Sequence, residues 1–140
     1  MNKEKQNQIF EGKNYLIEKF NNKEALIGII GLGYVGLPLA LTFASKKIKV
    51  IGFDINKNII SNIEEGKSYI HHINSELIIN ATKNNFLEPT YDMSRINEVD
   101  AIIICVPTPL KLHREPNLKY IKQTIKSISE HLKPFQAISL

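Results

Sequence analysis

Apolar and polar positions fall into two kinds of run along the chain. Leu26-Ile27-Gly28-Ile29-Ile30, Ile48 to Phe53 and Ala101-Ile102-Ile103-Ile104-Cys105-Val106 are short and almost continuously apolar, the pattern of strands buried on both faces. Between them lie stretches with helical spacing. Leu37 to Ala44 predicts a buried helix followed by Lys46 and Lys47, cations suited to the negative end of its dipole. Pro38 belongs in the first turn of that helix, where its missing N–H has no intrahelical partner, so the helix is expected to start near Gly33 or Tyr34. Ile59, Ile60 and Ile63 predict a second helix ending at Gly66, and Asn74 or Ser75 caps a third that carries Leu77, Ile78 and Ala81. Phe86 to Tyr91 has strand character, weakened by Pro89. Leu118, Ile121, Ile125, Ile128 and Leu132 form one face of a helix that begins at Pro116-Asn117 and ends before Pro134. Ala137 to Leu140 reads as another buried strand. Residues 1–24 are polar, with Phe10, Leu16, Ile17 and Phe20 spaced for a short amphipathic helix, interrupted by Gly12, behind a flexible lead.

Strands alternating with helices predict an α/β fold, a Rossmann-type parallel sheet with helices on both faces and right-handed crossovers. The 140 residues suit one domain. Hydrophobic residues make up 43% and charged residues 23%, which excludes disordered and low-complexity classes. A net charge of +4, with the basic residues scattered, argues against a dedicated nucleic-acid binder. No apolar run approaches the ~20 residues of a membrane span, and the first residues lead into no signal-peptide core. The single cysteine, Cys105, forms no internal disulfide, and no Cys/His cluster has zinc-ligand spacing, so a cytoplasmic protein without a metal is expected.

The most specific motif is Gly31-Leu32-Gly33-Tyr34-Val35-Gly36, directly after a strand and before a helix. In that context the three glycines serve a tight turn, a close approach of backbone to a pyrophosphate, and tight helix–strand packing. The N–H groups at the helix start are suited to a diphosphate. About 20 residues on, the second strand ends at Asp54, whose carboxylate suits ribose hydroxyls and repels a 2′-phosphate, favouring NAD over NADP. The plainer alternative is a tight turn with Asp54 merely capping the next helix.

With Leu37-Pro38-Leu39-Ala40, Gly52-Phe53-Asp54-Ile55-Asn56, Cys105-Val106-Pro107-Thr108-Pro109-Leu110 and Arg114-Glu115-Pro116, the chain closely resembles the NAD-binding domain of the UDP-glucose/GDP-mannose dehydrogenase family. It is most similar to the UDP-N-acetylhexosamine (UDP-N-acetylglucosamine) 6-dehydrogenase subgroup of surface-polysaccharide synthesis. The resemblance implies NAD-dependent oxidation of a sugar C6 hydroxyl to a carboxylate through an aldehyde held by a cysteine, with a UDP-sugar partner and a homo-oligomeric parent. It implies that Gly31, Leu32, Gly33, Tyr34, Val35 and Gly36 carry the pyrophosphate turn, Asp54 the adenosine ribose, and Val106, Pro107 and Thr108 the nicotinamide end. For Thr108 a plain turn between two prolines is the alternative. Residues 1–24 are then an extension, and 25–140 a partial NAD-binding domain, incomplete at the C-terminus.

Two positions depart from the family pattern: Ile59 stands where a basic residue is usual, with Lys57 the nearest cation, and His71 stands where an acidic one is common. His71 and His72 are read as a solvated loop. The family's catalytic lysine, asparagine and cysteine would follow Leu140, so no catalytic residue is assigned here. Cys105, in an apolar strand with no base beside it, is not given that role. Two rival readings are a non-catalytic stand-alone dinucleotide-binding or interaction module (or gene remnant), and an enzyme of the hydroxyacid or 6-phosphogluconate dehydrogenase type. Asp54 and the Val106-Pro107-Thr108-Pro109 run both count against the latter.

Overall fold

Apolar runs too short for helices pair side by side as parallel strands. The computed structural model describes residues 3–109 and 116–140, so Leu110, Arg114 and Glu115 of the quoted motifs lie outside the described residues. The elements are α1 (Lys3–Asn21), β1 (Ile27–Ile30), α2 (Gly36–Ser45), β2 (Val50–Phe53), α3 (Lys57–Glu64), α4 (Ser75–Lys83), β3 (Leu87–Thr90), β4 (Ala101–Ile104), α5 (Lys119–Ser129) and β5 (Ala137–Ser139). A short 3₁₀ helix, Met93–Glu98, which the sequence pattern did not suggest, leads into β4. The strands form one parallel sheet in the order β3-β2-β1-β4-β5. This is the Rossmann order.

Strand alternation divides the core between the two faces of the sheet. Ile27 and Ile29 of β1, Val50 of β2 and Ala101 of β4 pack with α2, α3 and α4 through Leu37, Ala40, Ile60, Ile63 and Ile78. Ile30, Ile51, Phe53, Ile102 and Ile104 face the other way, onto Ile96, Val99 and Ile128 of the 3₁₀ segment and α5. Helices therefore cover both faces. Pro89 is tolerated because β3 is an edge strand, where a missing N–H interrupts no second ladder.

Several boundaries differ from expectation for physical reasons. α2 begins at Gly36 rather than Gly33 or Tyr34, although Gly33 C=O already accepts the first helical bond, from Leu37 N–H at 3.1 Å. Cys105 and Val106 lie beyond the end of β4. Leu77 of α4 and Leu118, Ile125 and Leu132 around α5 are exposed, leaving Ile121 and Ile128 as the buried residues of α5. β5 is not buried: all three of its residues are exposed, with Ile138 at 52%, as the last strand of the sheet among the described residues. Gly12 does not interrupt α1, which runs unbroken from Lys3. The Phe135 ring rests on Gly12, at a place where any Cβ would collide with it.

α1 lies at the amino ends of the strands, opposite the glycine turn. Asp100, just before β4 and 4% exposed, accepts from Lys19 Nζ at 2.8 Å through both oxygens and from Leu26 N–H at 2.9 Å. A buried carboxylate needs such partners. The hydrogen bond to Asp100 holds the Lys19 ammonium above the usual 10.5. The stabilisation from this pair is complete below that value and is lost as pH rises through the higher folded-state value. Lys19→Met should lower unfolding free energy by about 1–3 kcal/mol, since the buried charge keeps only its backbone donor. Urea unfolding at pH 7 checks this, and the gap between the variant and the wild type should narrow above pH 11.

Candidate dinucleotide site

The ends of β1, β2 and β4 converge at the carboxyl edge of the sheet, beside the switch between β1 and β4 where open α/β sheets take ligands. The backbone ties the three loops together. Gly31 N–H donates to Phe53 C=O at 2.8 Å, Asp54 N–H to Thr90 C=O at 3.1 Å, and Cys105 N–H to Ile30 C=O at 2.7 Å.

Each glycine of the turn answers a different constraint. Gly31 has φ +93°, a region that L side chains avoid, and a Cβ there would sit 2.8 Å from Cys105 O. A Cβ on Gly36 would overlap the Gly31 carbonyl, so α2 could not seat against the turn. Gly33 differs: its φ is not in the left-handed region, and among the described residues no atom beyond its chain neighbours lies within 4 Å of the place its Cβ would occupy. Nothing among the described residues requires glycine at 33. Open space against a backbone that leads into a helix N-terminus fits the close approach of a diphosphate.

Asp54 is half-buried, and both its oxygens are engaged. Oδ2 accepts from Leu32 N–H at 2.8 Å and Oδ1 from Asn56 N–H at 2.9 Å. The cap of α3 is Asn56, which accepts from Asn58 N–H, so Asp54 is not simply a helix cap. Leu32 enters the site by its backbone alone. Its side chain is fully buried and lies over Gly52. No acceptor is found among the described residues for the N–H groups of Gly33, Tyr34 and Val35, and α2 has no side-chain cap.

The structure therefore brings residues 31–36 and Asp54 together. Val106 is half-buried, with its backbone nitrogen against Gly31, whereas Pro107 and Thr108 are exposed in an irregular segment past β4. Cys105 is half-buried, and burial pushes its thiol up from the usual range. Ile59 packs partly on the core and presents no charge, and Lys57 Nζ lies 4.9 Å from the Tyr91 ring centroid. His71 and His72 are exposed, and the His72 ring stacks on Tyr34 with centroids 6.4 Å apart.

One residue at the site escaped sequence reasoning. Tyr69, in the loop between α3 and α4, donates its O–H to Leu32 C=O at 2.5 Å. Burial, and then the Asp54 charge, raise its pKa well above the usual tyrosine value, so the phenol stays a donor. No spacing rule links positions 69 and 32, and only the fold brings them together. Among the described residues no helix is long and apolar enough to cross a membrane.

Known proteins resemble this chain in sequence and in fold. The NAD binding domain of the UDP-glucose/GDP-mannose dehydrogenase family matches residues 25–140. A Campylobacter jejuni UDP-N-acetyl-D-mannosamine dehydrogenase is 47% identical over 107 residues, covering 75% of this chain and 26% of that protein. Protein CapL of Staphylococcus aureus is 41% identical over 108 residues, covering 77% and 24%. Among solved structures, the NDP-N-acetyl-D-galactosaminuronic acid dehydrogenase of Methanosarcina mazei Go1 superposes with a TM-score of 0.74 at 32% identity, covering 82% of this chain and 27% of that one. The chain thus spans about a quarter of the length of the curated relatives it matches. With an NAD-type turn, a Rossmann strand order and a family match across the whole sheet, the chain belongs to the UDP-glucose/GDP-mannose dehydrogenase family, through its NAD-binding domain.

Proposed function

We propose that this chain is the NAD-binding portion of a cytoplasmic nucleotide-sugar 6-dehydrogenase. Such an enzyme oxidises the C6 hydroxyl of a UDP-N-acetylhexosamine or UDP-hexose to a carboxylate for surface-polysaccharide synthesis. Taking an alcohol to a carboxylate removes four electrons as two hydrides, and bound NAD supplies the acceptor for each. The observation that carries the reading is Gly33, whose open space is unexplained by packing and suits a phosphate. In this reading the N–H groups of Gly33, Tyr34 and Val35 hold the diphosphate. Asp54 orients the turn through Leu32 and presents its carboxylate to the adenosine ribose, while Val106, Pro107 and Thr108 border the nicotinamide end. The names of the relatives support a UDP-N-acetylhexosamine as substrate.

Calorimetry of the folded protein with NAD tests the cofactor assignment directly. Gly33→Ala should leave the melting temperature within about 2 °C of wild type, because the added methyl meets no atom of another described residue, and should weaken NAD binding at least ~10-fold, about 1.4 kcal/mol. Equal affinity for NAD in the two proteins would remove the diphosphate from this position. Formation of NADH from a UDP-N-acetylhexosamine by the full-length gene product separates a dehydrogenase from a binding module.

None of residues 31–36, 54 or 106–108 supplies a nucleophile with a base beside it, so catalytic groups are not assigned among them. Cys105 follows the same logic. Its raised pKa leaves little thiolate at neutral pH, so iodoacetamide should label it slowly at pH 7 and faster as pH rises towards 10. Cys105→Ser should change the NAD dissociation constant by less than about twofold, since the swap is nearly isosteric and leaves the Cys105 backbone against Gly31 in place.

A further inference from the structure

Two consecutive peptide units of the glycine turn are gripped by side chains from elsewhere in the fold. Asp54 Oδ2 takes the N–H of the Gly31–Leu32 unit, and the Tyr69 O–H bonds the carbonyl of the Leu32–Gly33 unit. In a planar trans peptide the carbonyl and the N–H point in opposite directions. Fixing Leu32 C=O towards Tyr69 therefore fixes Gly33 N–H away from it, and Gly33 is the residue with open space at its Cβ position. A hydrogen bond to the carbonyl also polarises the same amide and strengthens its N–H as a donor. The loop that carries Tyr69 touches the turn a second time, where His72 stacks on Tyr34.

We propose that Tyr69 is a positioning residue for the cofactor diphosphate: its O–H orients the Leu32–Gly33 peptide so that Gly33 N–H is presented to a phosphate oxygen. This rests on the cofactor reading above, and it adds a residue from outside the motif. Tyr69 touches no cofactor atom in this role. Its effect passes through one peptide unit and falls on phosphate recognition rather than on recognition of the base.

The test compares Tyr69→Phe with wild type in the full-length protein by two readouts. The first is residue-resolved amide hydrogen exchange without nucleotide. Exchange at Leu32 should quicken severalfold in Tyr69→Phe, while the β4 amides stay as protected as in wild type. The second is calorimetry with ADP-ribose and with adenosine. ADP-ribose affinity should fall roughly three- to tenfold, the size of one lost hydrogen bond, with adenosine unchanged. His72→Ala, which leaves the Tyr69 bond in place, should preserve the Leu32 exchange rate.

Unchanged Leu32 exchange in Tyr69→Phe overturns the proposal, as does an equal loss of affinity for ADP-ribose and adenosine, which marks a structural role only. Failure of wild type to bind ADP-ribose overturns the cofactor reading instead. The assignment of Tyr69 to a phosphate falls with it, and the exchange readout then reports only whether Tyr69 braces the turn.

Discussion

The Asp54 carboxylate uses both oxygens on backbone N–H groups, and through the one on Leu32 it ties the end of β2 to the turn that leaves β1. A loop at the carboxyl edge of a four-residue strand has few ladder bonds of its own to fix its direction. Charge-assisted bonds to a carboxylate are stronger than neutral ones. The tie adds to the Gly31 N–H bond with Phe53 C=O in holding the left-handed turn at Gly31.

β1 is bracketed by two such carboxylates. Asp100, before β4, accepts from Leu26 N–H just ahead of the strand, and Asp54, after β2, accepts from Leu32 N–H just behind it. The central strand is thus pinned at each end by an acid from a different neighbour, in addition to its ladders with β2 and β4. The two pins serve different ends. At the amino edge the charge is buried and neutralised by Lys19, which anchors α1, whereas at the carboxyl edge the charge stays half-open where a polar ligand can meet it.

The central strands were legible in the sequence because burial on both faces leaves a continuous apolar run that no exposed element imitates. The order Gly31, Gly33, Gly36 and then Asp54 was legible because a turn and a strand end impose fixed spacing. What escaped was set by contacts distant along the chain. Gly12 reads as a helix breaker until Phe135 is known to lie on it. Ile138 reads as core until its strand proves to be the outermost. Tyr69 carries no local signal at all, since its partner is a backbone carbonyl 37 residues away. Asp100 carries no local signal either, although it is buried against Lys19 of the N-terminal helix.

A glycine pattern is a mixed signal, and the structure separates its parts. Gly31 is needed by backbone conformation and Gly36 by the contact between α2 and the turn, so both would persist in a protein that bound nothing. Of the three, only Gly33 has space at its Cβ position that no other described residue fills. A folding requirement leaves its mark as a clash for any added Cβ, and a binding requirement leaves an absence of clash at a position where the backbone still approaches something. The two outer glycines are thus explained by the fold, whereas the middle one has no such explanation among the described residues.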